Sequence, residues 1–277
     1  MIFSVRRGRR RTLRTVGVAG QSIRVAIRHG NGTGVPLVLC NGIGISMEAL
    51  DPLVEALDPG REVIRFDVPG VGGSPLPPRP YWMPEMAATL AKLLTELGYD
   101  QVDVLGISWG GGLAQQFAVQ HPRRCRRLVL AATATGTLMV PAHPRVLAKM
   151  ASPRRHRDPD HAARIAGEIY GGSARTSPER VADLLHAQTR VGPRLGYLYQ
   201  LLAGVGWTSL GFLPLVRQPT LILAGDDDPI IPVLNGRLLA ALIPRGRLHV
   251  YPGGHLGLVT EAKALAPVVD AFLDSPL

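Results

Sequence analysis

The sequence predicts an α/β protein with a mostly parallel β-sheet flanked by helices and a helical cap inserted after the sixth core strand. Short apolar runs typical of buried strands alternate with stretches of helical spacing, which indicates a parallel sheet covered by helices on both faces. One interval between neighbouring strands is too long to be a loop, which indicates an insertion with its own secondary structure. With 277 residues and 46% hydrophobic residues, the chain can bury one sizeable core.

The first half of the chain is predicted to open with a hairpin and to continue with alternating strands and helices. The hairpin over 12–27 shows period-two alternation around a turn at 17–21. The continuous apolar run over 35–40 suits an interior parallel strand, because both faces of such a strand are covered. The other elements of this half are strands over 62–67, 101–105 and 128–132 and helices over 83–97 and 113–120.

The second half contains the insertion and the end of the sheet. The interval 133–218 contains Pro- and Gly-marked breaks between helical patterns such as 178–189, so it predicts a helical cap. Strands over 219–224 and 247–251 and a helix over 262–273 close the fold. The predicted domain organisation is therefore a basic tail at 1–11, a core made of 12–133 and 219–277, and a cap at 134–218.

The net charge of +10 raises the question of a polyanionic partner. The arginines cluster near the amino terminus, at 123–127 and at 154–157, without a recognisable nucleic-acid-binding fold or interleaved aromatic residues. We therefore expect a solvated basic surface and no specific nucleic-acid partner. Attraction to an anionic surface, to acidic products or to polyanions in general stays open.

The two cysteines and the apolar pattern bear on the compartment of the protein. Cys40 and Cys125 lie in or beside predicted strands, so we expect reduced packing residues rather than a disulfide. No apolar run reaches the length of about 18 residues that a transmembrane helix needs. The charged start is not followed by the hydrophobic segment of an export signal. We expect a cytoplasmic protein without a transmembrane segment, and the sequence does not specify its oligomeric state.

The motif Gly106-Ile107-Ser108-Trp109-Gly110 follows a predicted strand and precedes a predicted helix. This is the context of the nucleophile turn of the α/β-hydrolase fold, in which small neighbours permit a strained backbone and the serine oxygen sits at a helix amino terminus. We predict that Ser108 is the nucleophile of a serine hydrolase. The alternative is that Ser108 only caps the helix.

A serine hydroxyl needs a base and an orienting acid at the same end of the sheet. His255 directly follows the last predicted strand in a glycine-containing loop, so we predict that it is the base. In this fold the acid lies between serine and histidine in chain order, and three acids at 226–228 follow the strand over 219–224. The segment 225–232 matches a Gly-x-x-Asp-x-x-x-Pro pattern associated with the fold, which favours Asp228 over Asp227. The remaining acids are then turn or cap residues.

The tetrahedral intermediate of acyl transfer requires two oxyanion donors. We predict the backbone N–H of Trp109, which follows the nucleophile, and that of Ile43 in the loop Asn41-Gly42-Ile43-Gly44. Asn41 either braces this loop by side-chain hydrogen bonds or is a simple turn residue. The histidines and acids lack paired ligand spacing, so we expect no metal and no cofactor.

Core and cap segments together carry a resemblance to a known family. The segments are 41–44, 66–74, 106–111, 128–134, 150–155, 169–172, 206–209 and 224–229. In these segments the chain resembles intracellular medium-chain-length poly(3-hydroxyalkanoate) depolymerases, and the resemblance covers nearly the whole chain beyond the basic first dozen residues. The cap segments are the specific part, because the nucleophile turn is shared with many esterases.

The resemblance implies an esterase that degrades a storage polyester of 3-hydroxy fatty acids through an acyl-enzyme on Ser108. An apolar cleft suits such a polymer. The expected cleft residues are Asn41, Ile43, Trp109, Met139, Trp207 and Leu256. The expected partners are the polyester or acyl-ester substrate and a storage-granule surface. Three alternatives stay open: a general carboxylesterase or lipase on small acyl esters, a carbon–carbon bond hydrolase, and a non-catalytic granule-binding protein.

Overall fold

The computed structural model describes residues 11–32, 34–150, 154, 157–188, 190 and 192–276, with the backbone alone at 184–188. Within them, eight strands form one sheet in the order β1-β2-β4-β3-β5-β6-β7-β8. The strands are β1 (Arg11–Val18), β2 (Gln21–Arg28), β3 (Leu37–Cys40), β4 (Val63–Phe66), β5 (Val102–Ile107), β6 (Cys125–Ala131), β7 (Thr220–Gly225) and β8 (Gly246–Tyr251). The pairs β1–β2 and β2–β4 are antiparallel and the others are parallel.

The strand order places a crevice at the carboxyl ends of β3 and β5. The chain passes from β3 to β4 on one side and then returns to β5 on the other side of β3. Helices that follow these two strands diverge to opposite faces at such a point, and the crevice between them is where open α/β sheets bind ligands. The loop that follows β3 and the turn that follows β5 both begin at this crevice.

Helices cover both faces of the sheet and bury two separate cores. One face packs on α2 (Met83–Glu96), α3 (Trp109–Gln120) and α9 (Val233–Leu242). The other face packs on α1 (Asp51–Ala56), α10 (Gly257–Thr260) and α11 (Ala262–Asp274). The buried strands β3, β4 and β7 have every residue covered, as expected for strands between two helical layers.

Five further α-helices lie between β6 and β7 in the described residues. They are α4 (Pro144–Met150), α5 (Pro159–Tyr170), α6 (Ser173–Thr176), α7 (Pro178–Gln188) and α8 (Arg194–Gly204). A third apolar cluster contains residues from each of the helices α4, α5, α6 and α7 together with Ile230 and Leu256. Ile230 lies on the loop after β7, and Leu256 lies on the loop after β8. The insertion therefore packs on the same edge of the sheet as the crevice.

The predicted fold class is confirmed: the sheet is mostly parallel, helices flank it, and a helical insertion follows the sixth strand. The predicted hairpin and strands occur within a few residues of their predicted ends. Helices α1, α9 and α10 lie outside the predicted elements. Of the predicted basic tail, the described residues contain only Arg11, which is part of β1. No helix in the described part of the chain is long and apolar enough to cross a membrane.

The expectation of a solvated surface is wrong for part of the basic cluster at 123–127. Arg127 is only 2% exposed and donates to Ser275, while Arg126 forms a two-bond ion pair with the buried Asp103. Arg124 donates to backbone carbonyls of the segment 91–100. These guanidinium groups satisfy carbonyls and a carboxylate of the fold, so they contribute less to an external basic surface than the net charge suggests.

Both cysteines are free and buried, as expected from their positions in the strand pattern. Cys40 ends β3 and Cys125 begins β6, and their side chains belong to the same core. Burial raises the pKa of both thiols well above the ordinary value, so the nucleophilic thiolate is disfavoured at each. These residues act as small apolar packing groups.

Candidate active site

Ser108 lies in the sharp turn between β5 and α3. Its backbone has φ of 54° and ψ of −121°, a conformation that costs energy for a residue with a side chain. Gly106 and Gly110 permit the turn, because a Cβ at Gly106 would lie 2.2 Å from the Gly110 carbonyl oxygen and one at Gly110 would lie 2.1 Å from that of Cys40. Among the described residues, the Ser108 hydroxyl makes no capping bond to α3. The turn therefore leaves this hydroxyl available to another partner.

That partner is His255, which joins Ser108 to Asp228. Ser108 Oγ lies 3.1 Å from His255 Nε2, and His255 Nδ1 lies 2.9 Å from Asp228 Oδ2. Both the imidazole and the carboxylate are buried. Because an ionised carboxylate only accepts, Nδ1–H donates to Asp228 and leaves Nε2 to accept from the serine hydroxyl. The arrangement can take the proton of Ser108 as its oxygen attacks a carbonyl.

Each acid after β7 has a different set of partners. Asp228 Oδ1 accepts from two backbone N–H groups of the following turn at 2.9 Å each, which fixes the carboxylate that meets His255. Asp226 accepts from the N–H of Gly253 at 3.0 Å and thereby ties this loop to the loop that carries His255. Asp227 faces the insertion instead. The structure thus places Asp228, rather than its two neighbours, against the histidine.

The turn between α5 and α6 is hydrogen-bonded to the loop that carries Asp228 and to the loop that carries His255. The N–H of His255 donates to the carbonyl of Tyr170 at 2.8 Å. Asp227 accepts from the N–H of Gly172 at 2.7 Å and from the guanidinium of Arg175 at 2.7 and 2.9 Å. The Arg175 hydrogen bond holds the pKa of Asp227 below its ordinary value. The insertion is therefore hydrogen-bonded to the backbone of His255 and to the side chain of Asp227, next to Asp228.

The two predicted oxyanion donors lie on segments beside Ser108. A Cβ at Gly42 would be 3.6 Å from Ser108 Cβ, and Ile43 lines the same cavity as the serine. Trp109 is the first residue of α3, so its N–H has no acceptor within the helix. Backbone N–H groups from these two segments can stabilise a negative oxygen formed at the serine.

Gln200 on α8 joins these two segments, and no sequence pattern indicated it. Its Oε1 accepts from the N–H of Gly44 at 2.7 Å, and its backbone carbonyl accepts from the indole N–H of Trp109 at 2.8 Å. The residue is 1% exposed. The helix of the insertion is therefore hydrogen-bonded to both sides of the candidate oxyanion site.

A cavity with mainly apolar walls opens beside Ser108. It is lined by Asn41, Gly42, Ile43, Ile45, Ala49, Leu50, Ile107, Ser108, Met150, Tyr170, Ile230, His255, Leu256 and Val259. The cavity thus includes three of the predicted cleft residues, Asn41, Ile43 and Leu256. Five other lining residues come from the turn before α1, from the insertion and from α10, so chain proximity to the motif could not reveal them: Ala49, Leu50, Met150, Tyr170 and Val259. An apolar acyl chain matches these walls.

Met139 and Trp207 do not belong to this cavity within the described residues, so their prediction as cleft residues is not supported. The indole N–H of Trp207 donates to Gln116 on α3, and its ring packs with the core on that face of the sheet. Met139 precedes Val140, whose N–H is bonded to Asn235 of α9. Trp109 likewise packs its ring against that core, and among the described residues it does not line the cavity.

The expectation that Asn41 braces its loop through side-chain hydrogen bonds is wrong in the described residues. Both polar atoms of its carboxamide are buried, and neither has a hydrogen-bond partner there. The residue is 9% exposed and lines the cavity next to Ser108. An unpaired buried amide costs free energy, so this position is not explained by the stability of the loop.

Comparison with known proteins places this geometry in a family. Residues 35–262 match the family model described as alpha/beta hydrolase fold. The chain belongs to the α/β-hydrolase family. This α/β-hydrolase is 54% identical over 261 residues to the poly(3-hydroxyalkanoate) depolymerase of Ectopseudomonas oleovorans. The aligned region covers 94% of this chain and 92% of that protein. The resemblance inferred from the sequence is thereby confirmed.

Solved structures show the same architecture. A hydrolase from Pseudomonas aeruginosa PA01 has a TM-score of 0.80 with 27% identity and covers 95% of this α/β-hydrolase and 98% of its own chain. A thermophilic esterase from Thermogutta terrifontis has a TM-score of 0.78 with 25% identity, with the same coverage of 95% and 98%. The fold therefore extends over nearly the whole of both proteins.

Proposed function

We propose that this α/β-hydrolase is a serine ester hydrolase that depolymerises medium-chain-length poly(3-hydroxyalkanoate) to 3-hydroxy acids or oligomers. The observation that carries the chemistry is the continuous Asp228–His255–Ser108 hydrogen-bonded chain beside an apolar cavity. The 54% identity to a poly(3-hydroxyalkanoate) depolymerase supports the choice of ester. In this proposal the core at 12–133 and 219–277 supplies the reacting groups, and the cap at 134–218 shapes the cleft.

The first half of the reaction forms an acyl-enzyme. Ser108 Oγ attacks the ester carbonyl carbon while His255 Nε2 accepts the hydroxyl proton. The N–H groups of Ile43 and Trp109 stabilise the oxyanion, and removal of one such donor costs about 3 to 4 kcal/mol in comparable enzymes. Asp228 remains ionised and stabilises the imidazolium. Collapse of the intermediate breaks the bond to the alkoxy oxygen, which leaves with the proton from His255.

The second half of the reaction releases the acyl group. A water molecule takes the place of the departed alcohol and gives a proton to His255 Nε2 as its oxygen attacks the acyl-enzyme carbonyl. The same donors hold the second oxyanion. When this intermediate collapses, the Ser108 oxygen leaves and regains its proton from the imidazolium. The products are a 3-hydroxy acid or a shortened chain and the free enzyme.

The outer side of α8 is suited to contact with a polymer surface. It exposes an apolar stripe, the α8 apolar face, made of Leu195, Leu198, Leu201, Leu202 and Val205, with exposed fractions of 49, 44, 37, 38 and 64%. The opposite side of the helix buries Gln200, which contacts the candidate oxyanion loop. We propose that this face contacts the water-insoluble polyester at a storage granule in the cytoplasm, next to the cleft. The basic tail at 1–11 remains a second candidate for granule attachment.

The decisive experiment is turnover of a medium-chain-length poly(3-hydroxyalkanoate) emulsion by the purified chain. We expect the emulsion to clear with release of 3-hydroxy acids or oligomers, and we expect Ser108→Ala to abolish clearing with an unchanged circular dichroism spectrum. Retained activity in Ser108→Ala would contradict the acyl-enzyme mechanism. If the wild-type chain cleaves short soluble esters and leaves the polymer intact, the mechanism stands and the chain is an esterase of small acyl esters.

A further inference from the structure

Asn41 is a polar residue of the cavity to which the acyl-enzyme mechanism assigns no task. Its carboxamide nitrogen and oxygen are both buried and unpartnered within the described residues. The residue is 9% exposed and belongs to the cavity wall that contains Ser108. A side chain of this kind has a hydrogen-bond capacity that the protein itself does not use, and a ligand in the cavity can use it.

The position of Asn41 ties it to the acyl part of the substrate. It directly precedes Gly42, whose Cβ position would be 3.6 Å from Ser108 Cβ, and it lies two residues before the oxyanion donor Ile43. Its backbone oxygen packs against Gly110 of the nucleophile turn, where an added Cβ would come within 2.5 Å. Asn41 therefore lies in the group of residues around the carbonyl of a bound ester.

The proposed substrate offers one polar atom in that region besides the ester group itself. A 3-hydroxyacyl unit differs from a plain fatty acyl unit by an oxygen on C3. Three single bonds separate this oxygen from the carbonyl carbon, so the two atoms are less than about 4 Å apart in any conformation. The remainder of the unit is hydrocarbon and matches the isoleucine and leucine walls of the cavity.

We propose that the Asn41 carboxamide binds the C3 oxygen of the acyl unit and makes the enzyme selective for 3-hydroxyacyl esters over plain acyl esters. This inference rests on the proposed ester hydrolase function and names the chemical feature that the site recognises. With a 3-hydroxyacyl ester, the amide gains its missing partner. With a plain acyl ester of equal length, the amide stays buried and unpaired, which is the arrangement by which sites reject analogues that lack a polar group.

The test compares two soluble esters with the same leaving group and chain length, p-nitrophenyl 3-hydroxyoctanoate and p-nitrophenyl octanoate. For each we would measure kcat/KM with the wild-type chain and with Asn41→Leu, which keeps the approximate volume and removes both polar atoms. We expect the ratio of the two kcat/KM values to fall by about 10- to 100-fold in the variant. The fall should come mainly from a lower kcat/KM for the 3-hydroxyoctanoate.

Thermal unfolding of the same variant separates recognition from a structural role. Because Asn41 has no partner in the described residues, Asn41→Leu should leave the Tm unchanged or raise it. A lowered Tm with an equal loss for both esters would overturn the proposal, as would an unchanged ratio. If Asn41→Leu does not fold, Asn41→Ala provides the same ratio. If the wild-type chain cleaves both soluble esters but not the polymer, the proposed depolymerase function is contradicted. The ratio of the two kcat/KM values still tests the role of Asn41 in that case.

Discussion

Asp228 differs from its two acidic neighbours because its carboxylate both meets His255 Nδ1 and accepts two backbone N–H groups of its own turn. The first contact selects the tautomer in which Nε2 can accept the Ser108 proton, and the second fixes the position of the carboxylate. We expect Asp228→Asn to lower kcat for p-nitrophenyl octanoate by about 1,000- to 10,000-fold, because the amide can donate to Nδ1 and stabilise the wrong tautomer. Steady-state kinetics with both proteins measure this effect.

The matched control is Asp226→Asn. Asp226 is adjacent to the site, and within the described residues its hydrogen bonds go to backbone groups alone, including the N–H of Gly253. The amide oxygen of asparagine can accept the same bond, so we expect a loss of less than about tenfold in kcat. Equal losses in the two variants would mean that the loop as a whole, and not the Asp228–His255 contact, supports the reaction.

The three side chains that meet in the candidate site could be predicted from the sequence to lie together, because each follows a strand at one edge of a parallel sheet. Ser108 is marked by its glycines, His255 by its position after the last strand, and Asp228 by its place in the Gly-x-x-Asp-x-x-x-Pro pattern. Asn41 and Gln200 are different. Asn41 lacks a hydrogen-bond partner in the described residues, and Gln200 accepts from the N–H of Gly44. Both features depend on groups that folding brings together from distant parts of the chain.

At the scale of elements, helix α8 is hydrogen-bonded to both segments of the candidate oxyanion site through Gln200. The Gln200 side chain accepts a hydrogen bond from the N–H of Gly44, and its backbone carbonyl accepts one from the indole N–H of Trp109. We expect Gln200→Leu to lower kcat by about 10- to 100-fold, because the variant loses the bond to the loop that carries the proposed Ile43 donor and leaves the partly buried N–H of Gly44 without this partner. Gln200→Glu keeps an acceptor for Gly44 and should retain more activity than Gln200→Leu.

These two variants also distinguish a positioning role from a loss of stability. Urea unfolding should show a stability loss of about 1 to 3 kcal/mol for Gln200→Leu, and its KM for a soluble ester should change less than its kcat. A variant that keeps full kcat despite the lost bond would show that the loop holds its conformation without α8.

The contact of Asp227 with Arg175 and Gly172 predicts a pH-dependent stability of the insertion. The hydrogen bond from Arg175 lowers the pKa of Asp227 in the folded state, so the contact stabilises the protein at pH values above the pKa of an unfolded aspartate. The stabilisation is lost as the pH falls through the lower folded-state value. Because the pair is about half exposed, we expect Asp227→Asn to cost less than about 1 kcal/mol.

Urea unfolding of the wild type and Asp227→Asn between pH 3 and pH 7 measures this contribution. The difference in the free energy of unfolding should be constant near neutral pH and should shrink below about pH 4. Arg175→Gln should give a similar difference at neutral pH, since it removes the other partner. A difference that grows as the pH falls would contradict the direction of the pKa shift.

Most core elements could be predicted because period-two alternation or a short apolar run marks each strand, and helical spacing marks α2, α3 and α11. Helices α1 and α10 have six and four residues, too few for a periodic pattern. In α9, the buried Asn235 and the glycine at 236 interrupt the apolar pattern, although the missing Cβ at Gly236 lets the helix approach Ala224 of β7. Tertiary contacts explain these residues, and local sequence does not.

At the scale of the whole molecule, net charge is a poor guide to surface chemistry. Much of the arginine excess serves the fold: Arg28 is 1% exposed and donates to backbone carbonyls of the segment 54–61, and Arg61 pairs with two aspartates of α11. The apolar outer side of α8 is a more distinctive surface feature. Exposed apolar stripes of this kind are uncommon on soluble chains and indicate a contact with an apolar partner.

The α8 apolar face should therefore control activity on polymer particles and not the chemistry at Ser108. We expect the triple variant Leu195→Ser, Leu198→Ser and Leu202→Ser to reduce binding to polymer particles and the rate of clearing by at least about tenfold, because each leucine buried at a surface contributes up to about 1.5 to 3 kcal/mol. Its kcat/KM for p-nitrophenyl octanoate should stay within about twofold of the wild type, since the three side chains are exposed and the inner side of α8 is unchanged.

Sedimentation with polymer particles measures binding, and Leu234→Ser, which replaces an exposed leucine on α9, is the matched control. Equal sedimentation of the triple variant and the control would show that another part of the chain contacts the polymer.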